Sequence, residues 1–214
     1  MSDPQLSTPE PIPEAEGATA PVRKRPKPGE RRVQILQALA TMLEQPGAER
    51  ITTAALAARL EVSEAALYRH FASKAQMFEG LIEFIEQSVF TLVNQITERE
   101  SAGAAQAAKV VTMLLQFAEK NPGMTRVMVG DALVFENDRL QQRMNQFFDK
   151  IEATLKQSLR SANDGEASAT PSADAQVRAS MLTSFAVGRL QRFARSGFRR
   201  MPSEHLEASL AHML

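Results

Sequence analysis

The sequence predicts an all-α protein in two parts: an N-terminal three-helix unit containing a helix-turn-helix, and a larger C-terminal helical body. Three observations lead there. Ala, Leu, Gln, Glu, Arg and Met are abundant, and these residues favour helix over sheet. From residue 29 onward apolar residues recur at three- and four-residue spacing, the period of a helix with one buried face. Two short stretches of this kind, opened by Thr52 or Thr53 and by Ser63, lie only a few residues apart, which is the pattern of helix, tight turn and helix.

Residues 1–28 hold seven of the eleven prolines and few large apolar groups. Burial there would not offset the entropy of ordering, so a disordered arm with a basic end is expected. The first helix places Ile35, Leu36, Leu39, Met42 and Leu43 at helical spacing and stops before Pro46-Gly47. The second, TAALAARL, turns Leu56 and Leu60 inward, and Ser63 caps the third, EAALYRHF. Ser73 caps a fourth, in which Phe78, Leu81, Ile82, Ile85, Val89, Leu92, Val93 and Ile96 form one stripe. After the weakly apolar SAGAAQAA, a fifth helix runs from about Ala105 to Lys120 and ends at Asn121-Pro122-Gly123. From Thr125 to about Leu159 the apolar pattern meets no proline and reads as one long helix. SANDGEASATPSAD, about 161–174, has the composition of a flexible loop. A further helix is expected over about 175–195, and a short one after Pro202-Ser203. The resulting division is 1–28 for the arm, 29–74 for the three-helix unit with its helix-turn-helix at 52–71, and 75–214 for the body.

Several chemistries are disfavoured by composition. The absence of cysteine removes disulfides, thiolate metal sites and cysteine catalysis, and is compatible with a reducing cytoplasm. His70, His205 and His212 make no metal-binding spacing, so no metal or cofactor is expected. Asp131, Glu136, Asp138 and Glu152 read as the solvated face of the long helix rather than as acid catalysts, and the chain is not expected to be an enzyme. No apolar run reaches the ~18 residues of a membrane span, and the acidic, Pro-rich start is unlike a signal peptide. A cytoplasmic protein is therefore expected. The formal charge of zero conceals a polarity: Asp3, Glu10, Glu14 and Glu16 precede a run from Arg23 to Arg32 with six basic residues and one acid. That run is either a solubilising arm or positive charge set beside a duplex.

In the helix-turn-helix, Leu56, Leu60, Val62 and Leu67 pack the two short helices against the first. Ala65 and Ala66 keep the outer face slim enough for a major groove about 12 Å wide and are suited to thymine methyl groups. Thr53, Ser63, Tyr68, Arg69, His70 and Lys74 are then available to phosphates and base edges. Tyr68 alone would read as a packed aromatic, and His70 as a surface histidine without a catalytic partner. The alanine surface beside them favours DNA contact.

Residues Thr52 to Lys74 resemble the DNA-binding domain of the TetR family, most specifically in YRHFASK. The resemblance implies a TetR-like fold and a homodimer on palindromic double-stranded DNA. It places the contacts at Thr52, Thr53, Ser63, Glu64, Ala65, Ala66, Tyr68, Arg69, His70 and Lys74. Glu61 departs from the glycine common in that turn; a left-handed backbone there costs roughly 1 kcal/mol, so the turn is either strained or differently wound.

The likeness continues in MFEGLIEFIEQS, EKNPGMTRV, ALVFENDRLQQRMNQFFDKIEATLKQ and FAVGRLQRFARSGFRRMP, which are similar to the nucleoid-occlusion branch of that family. This implies a division inhibitor, associated with the nucleoid, that antagonises polymers of the tubulin-like GTPase FtsZ while bound to chromosomal sites. The alternative is a TetR-type repressor released by a small apolar ligand held among helices 4 to 7. The arm and the 161–174 loop depart from the branch's pattern.

Phe84 lies about 100° around the helix from Ile85, off the main stripe, and Met113 flanks the stripe of the fifth helix. With Gln116, Lys120 and Met124 they are candidates for FtsZ contact, although a buried central fifth helix with a wide apolar face would explain Met113, and Phe117 beside it, equally well. The apolar rows at 125–159 and 175–195 exceed what one short neighbour covers, and TetR-like proteins form a four-helix dimer seam there. Phe147, Ile151, Met181 and Phe185 are the candidate seam residues.

Overall fold

A computed structural model describes residues 29–45, 50–162 and 171–214; the expected arm at 1–28 and residues 163–170 of the expected loop lie outside these. Every regular element among the described residues is helical. None of their helices is long and apolar enough to cross a membrane.

Helix α1, Glu30–Leu43, buries Ile35, Leu39, Ala40 and Leu43. Helices α2, Thr53–Arg59, and α3, Glu64–Tyr68, pack on each other, with α2 also against α1. Helix α4, Lys74–Arg99, has 26 residues, about 39 Å at 1.5 Å per residue. It therefore begins beside the helix-turn-helix and runs deep into the body. Its stripe is buried from Phe78 to Val93 except at Leu92, where the cover thins and an open groove begins.

Helix α5, Gly103–Lys120, is the centre of the body, packed against α4, α6, α7 and α8. The turn at Asn121 ends it as the sequence suggests, but Pro122 immediately opens α6, Pro122–Met128, because proline suits the first helical position. The single long helix expected from Thr125 to Leu159 is not formed. Gly130 takes a left-handed backbone, φ 84°, and a 3-10 turn, Asp131–Leu133, follows. Residues 134–137 form an irregular segment before α7, Asp138–Ala162, which starts where the Arg139 amide donates to Asn137 Oδ1 at 3.1 Å. Ala132 and Leu133 stay buried through the break, so the hydrophobic period hides it.

Helix α8, Pro171–Arg195, starts inside the expected loop and packs along α7 in the most extensive helix pairing. Helix α9, Leu206–Met213, closes the chain against it. The N-terminal unit is fixed to the body through α1 and α6. A Cβ on Gly123 would lie 1.9 Å from the Ala40 carbonyl oxygen, so the two backbones touch and only glycine fits.

Candidate nucleic-acid interface

Three hydroxyls set the starts of the helices around the turn. Thr52 Oγ1 accepts from the Ala55 amide at 3.1 Å, Ser63 Oγ from Ala66 at 3.3 Å, and Ser73 Oγ from Gln76 at 3.2 Å. Thr52 and Ser73 each satisfy an amide that the first helical turn leaves without a carbonyl, while the Ala66 amide is shared between Ser63 Oγ and the Ser63 carbonyl at 2.9 Å. Glu61 has φ 53°, so the turn is wound left-handed despite lacking glycine. Leu56, Leu67 and Phe71 are buried beneath it, with Leu60 and Val62 half-buried.

This packing leaves Glu64, Ala65, Tyr68, Arg69 and His70 exposed, with Thr52 beside them and Ala66 half-buried. Tyr68 Oη donates to Thr53 Oγ1 at 3.5 Å, and Thr53 donates in turn to Glu64 Oε2 at 2.5 Å. The chain of bonds fixes α3 on α2 and leaves the outer face of α3 slim. The basic run is partly structural. Arg32 donates to the His70 carbonyl at 2.6 Å while its guanidinium lies 4.1 Å over the Phe71 ring, and Arg31 donates to Gln34 at 3.1 Å.

Lys74 is engaged in a way the sequence does not reveal: its ammonium is 2.5 Å from a Glu136 carboxylate oxygen. Glu136 is not on a solvated helix face as expected. It lies in the irregular segment before α7, with only 10% of its side chain exposed. Arg139 pairs with Glu79 at 2.5 Å, and Arg143 grips Glu86 with two bonds of 3.2 and 2.6 Å. The bidentate bond to Glu86 raises the Arg143 pKa further. Together these pairs lace α4 to the entrance of α7.

A second face lies on α4 and α5. Phe84 is 48% exposed, Gln116 and Lys120 are exposed, and Met113 and Met124 are half-buried. The two helices run antiparallel: Gln106 donates to the Thr97 carbonyl at 3.2 Å, and Leu92 and Met113 share a groove. The groove, about 300 Å³, is lined by Leu92, Gln95, Ile96, Arg99, Glu100, Lys109 and Met113. At its rim Lys109 bonds Glu100 at 2.7 Å and, with the Ala102 amide, holds that carboxyl below the usual range. Leu92 and Ile96 read as core in the sequence because their spacing matches the stripe.

The candidate seam residues divide. Phe147 and Ile151 are fully covered by their own protomer, Phe147 between the rings of Phe90 and Phe148, so they are core and not a surface. Met181, 53% exposed, Val177 and half-buried Phe185 face outward from α8. Periodicity marks all of these as apolar but does not say which neighbour covers them. No group of acidic residues and histidines among the described residues is arranged to hold a metal.

Comparison with known proteins gives this arrangement a family. Residues 35–81 match the family described as bacterial regulatory proteins, tetR family, and residues 104–214 match the SlmA-like family, described as tetracyclin repressor-like, C-terminal domain. The chain is 52% identical over 178 residues to the nucleoid occlusion factor SlmA of Idiomarina loihiensis, covering 83% of this chain and 90% of that protein. It is 51% identical over 181 residues to that of Citrobacter koseri, with 83% and 90% covered. Among solved structures, the fold is similar to the fatty acid degradation regulator FadR of Bacillus halodurans, TM-score 0.68 at 11% identity, covering 88% of this chain and 97% of that one. The TetR family regulator PfmR of Thermus thermophilus gives 0.67 at 18%, with 86% and 95% covered. These are regulators, and the chain is a DNA-binding regulator rather than an enzyme. The TetR-type N-terminal domain, the matching C-terminal domain and the identity along most of the chain together make it a member of the SlmA family of nucleoid occlusion factors.

Proposed function

We propose that the protein binds palindromic chromosomal sites as a homodimer in the cytoplasm and, on the nucleoid, antagonises FtsZ polymers so that no septum assembles there. The observation that carries this reading is the presence of two unlike faces on one chain. One is the slim polar face of α3; the other is the partly apolar face of α4 and α5, where Phe84 and Lys120 are both exposed. In this reading α3 enters the major groove with Ala65 and Ala66 against base edges, and Glu64 and Arg69 add polar readout. Thr52, Thr53, Ser63, Tyr68, His70 and Lys74 then hold the flanking phosphates.

The second copy is assigned to the outer face of α8. Gly188 supports this: a Cβ there would meet nothing within 4 Å in the protomer, yet glycine inside a helix costs about 1 kcal/mol relative to alanine. Close approach of a partner α8 gives that glycine a reason. Met181→Asp leaves the protomer core untouched and is expected to shift the protein toward monomer in sedimentation. A wild-type chain that sediments as a stable monomer at micromolar concentration would rule out the dimer.

FtsZ is assigned to Phe84, Met113, Gln116, Lys120 and Met124. Apolar groups beside an exposed lysine suit a short segment with both apolar and acidic residues. Phe84→Ala and Lys120→Asp, made separately, are each expected to weaken FtsZ binding about tenfold or more with melting temperature and DNA affinity unchanged. Unaltered FtsZ binding in both would move the contact elsewhere.

A further inference from the structure

Lys74 opens α4 next to the reading helix, yet its charge is already matched by Glu136 at 2.5 Å. A single ammonium does not neutralise a phosphate and a nearly buried carboxylate equally well at once. We infer that Glu136 competes with DNA phosphate for Lys74, so that Glu136 sets the DNA affinity and the exchange of partners loosens the segment 134–137. The inference rests on the reading of Lys74 as a phosphate contact.

The surroundings of Glu136 show what the exchange does. Its side chain is 10% exposed, and a carboxylate left at that depth without its cation is strongly disfavoured, so it must move toward water when Lys74 leaves. The segment that carries it is free to follow. Residues 134–137 belong to no helix, and Val134 and Phe135 are 69% and 65% exposed, so little packing opposes a shift. On one side the segment is held by the bond from the Glu136 amide to the Leu133 carbonyl, 3.0 Å, and on the other by the cap of α7. The pairs Arg139–Glu79 and Arg143–Glu86 keep α7 on α4 beyond it. Lys74–Glu136 is therefore the rung nearest the DNA unit, and the one whose lysine has a second claimant. The Phe135 ring, 5.9 Å from the Arg50 guanidinium ahead of α2, faces that same unit.

The opposite role, in which Glu136 positions Lys74 for phosphate, gives the opposite sign, and this makes the test decisive. The probe is a duplex selected by the wild-type protein from a random pool. Competition predicts that Glu136→Gln tightens binding about five- to tenfold, because the lysine is no longer withheld. Glu136→Asp, which keeps the charge, should stay near wild type. The chain has no tryptophan, so Phe135→Trp gives a single reporter. Its emission should shift on saturation with the duplex, and with Glu136→Gln added it should start near the shifted value and change little. Weaker or unchanged binding by Glu136→Gln, or an emission indifferent to DNA, overturns the inference. Lys74→Ala tests the underlying reading separately: it should weaken binding and reduce the magnitude of the logarithmic salt slope by about 0.9. If Lys74→Ala does this and Glu136→Gln does not tighten binding, the competition alone is wrong; if Lys74→Ala changes nothing, the phosphate contact is wrong and the competition falls with it.

Discussion

Ala65→Glu is expected to lower affinity for the protein's DNA site by about a hundredfold or more, roughly 3 kcal/mol, with no loss of melting temperature. Ala65 is exposed on α3, so the fold has room for the larger side chain. What has no room is the interface. A carboxylate carried into a major groove between two phosphate strands meets like charge and displaces a methyl-sized contact with base edges. Glu64 already stands on that face, but the Thr53 hydroxyl bonds its Oε2 at 2.5 Å and fixes the direction of its carboxylate, a partner that the carboxylate introduced by Ala65→Glu would lack. A mobility-shift titration beside a thermal melt checks the result. Retained specific binding by a folded Ala65→Glu protein would argue against α3 as the reading helix.

Gly123→Ala is expected to cause the largest loss of stability. The added carbon would sit 1.9 Å from the Ala40 carbonyl oxygen, where an ordinary C···O contact needs about 3.3 Å. Backbone, not a flexible side-chain end, is in the way, so α6 must shift on α1. Overpacking of this kind costs about 2–3 kcal/mol, a fall in Tm of roughly 4–12 °C for a chain of this size. Since α1 carries the helix-turn-helix, DNA affinity should fall with it. An unchanged melt for Gly123→Ala would contradict the docking of the N-terminal unit on the body.

The helix-turn-helix was legible because its determinants are local. Caps at Thr52, Ser63 and Ser73, and apolar residues three and four apart, fall within a short span, and the structure adds only that Glu61 accepts the left-handed turn. The break between α6 and α7 was not legible, since Gly130 and the 3-10 turn interrupt the backbone while Ala132 and Leu133 keep the hydrophobic rhythm. Phe147 and Met181 look alike as members of apolar rows; which one α5 and its neighbours cover is a property of packing. The ties between α4 and the start of α7 are further still from local signals. Arg143 and Glu86 are 57 residues apart, and nothing in the spacing of either helix announces the pair.

Bound to DNA, the protein is expected to act on FtsZ polymers. Sedimentation of GTP-assembled FtsZ with the wild-type protein held on its selected duplex tests it most directly. The protein–DNA complex is expected to bind FtsZ and to reduce the polymer recovered in the pellet, in proportion to the complex added. Pelleted FtsZ and the free complex both unchanged up to micromolar concentration, with the duplex still bound, would contradict it.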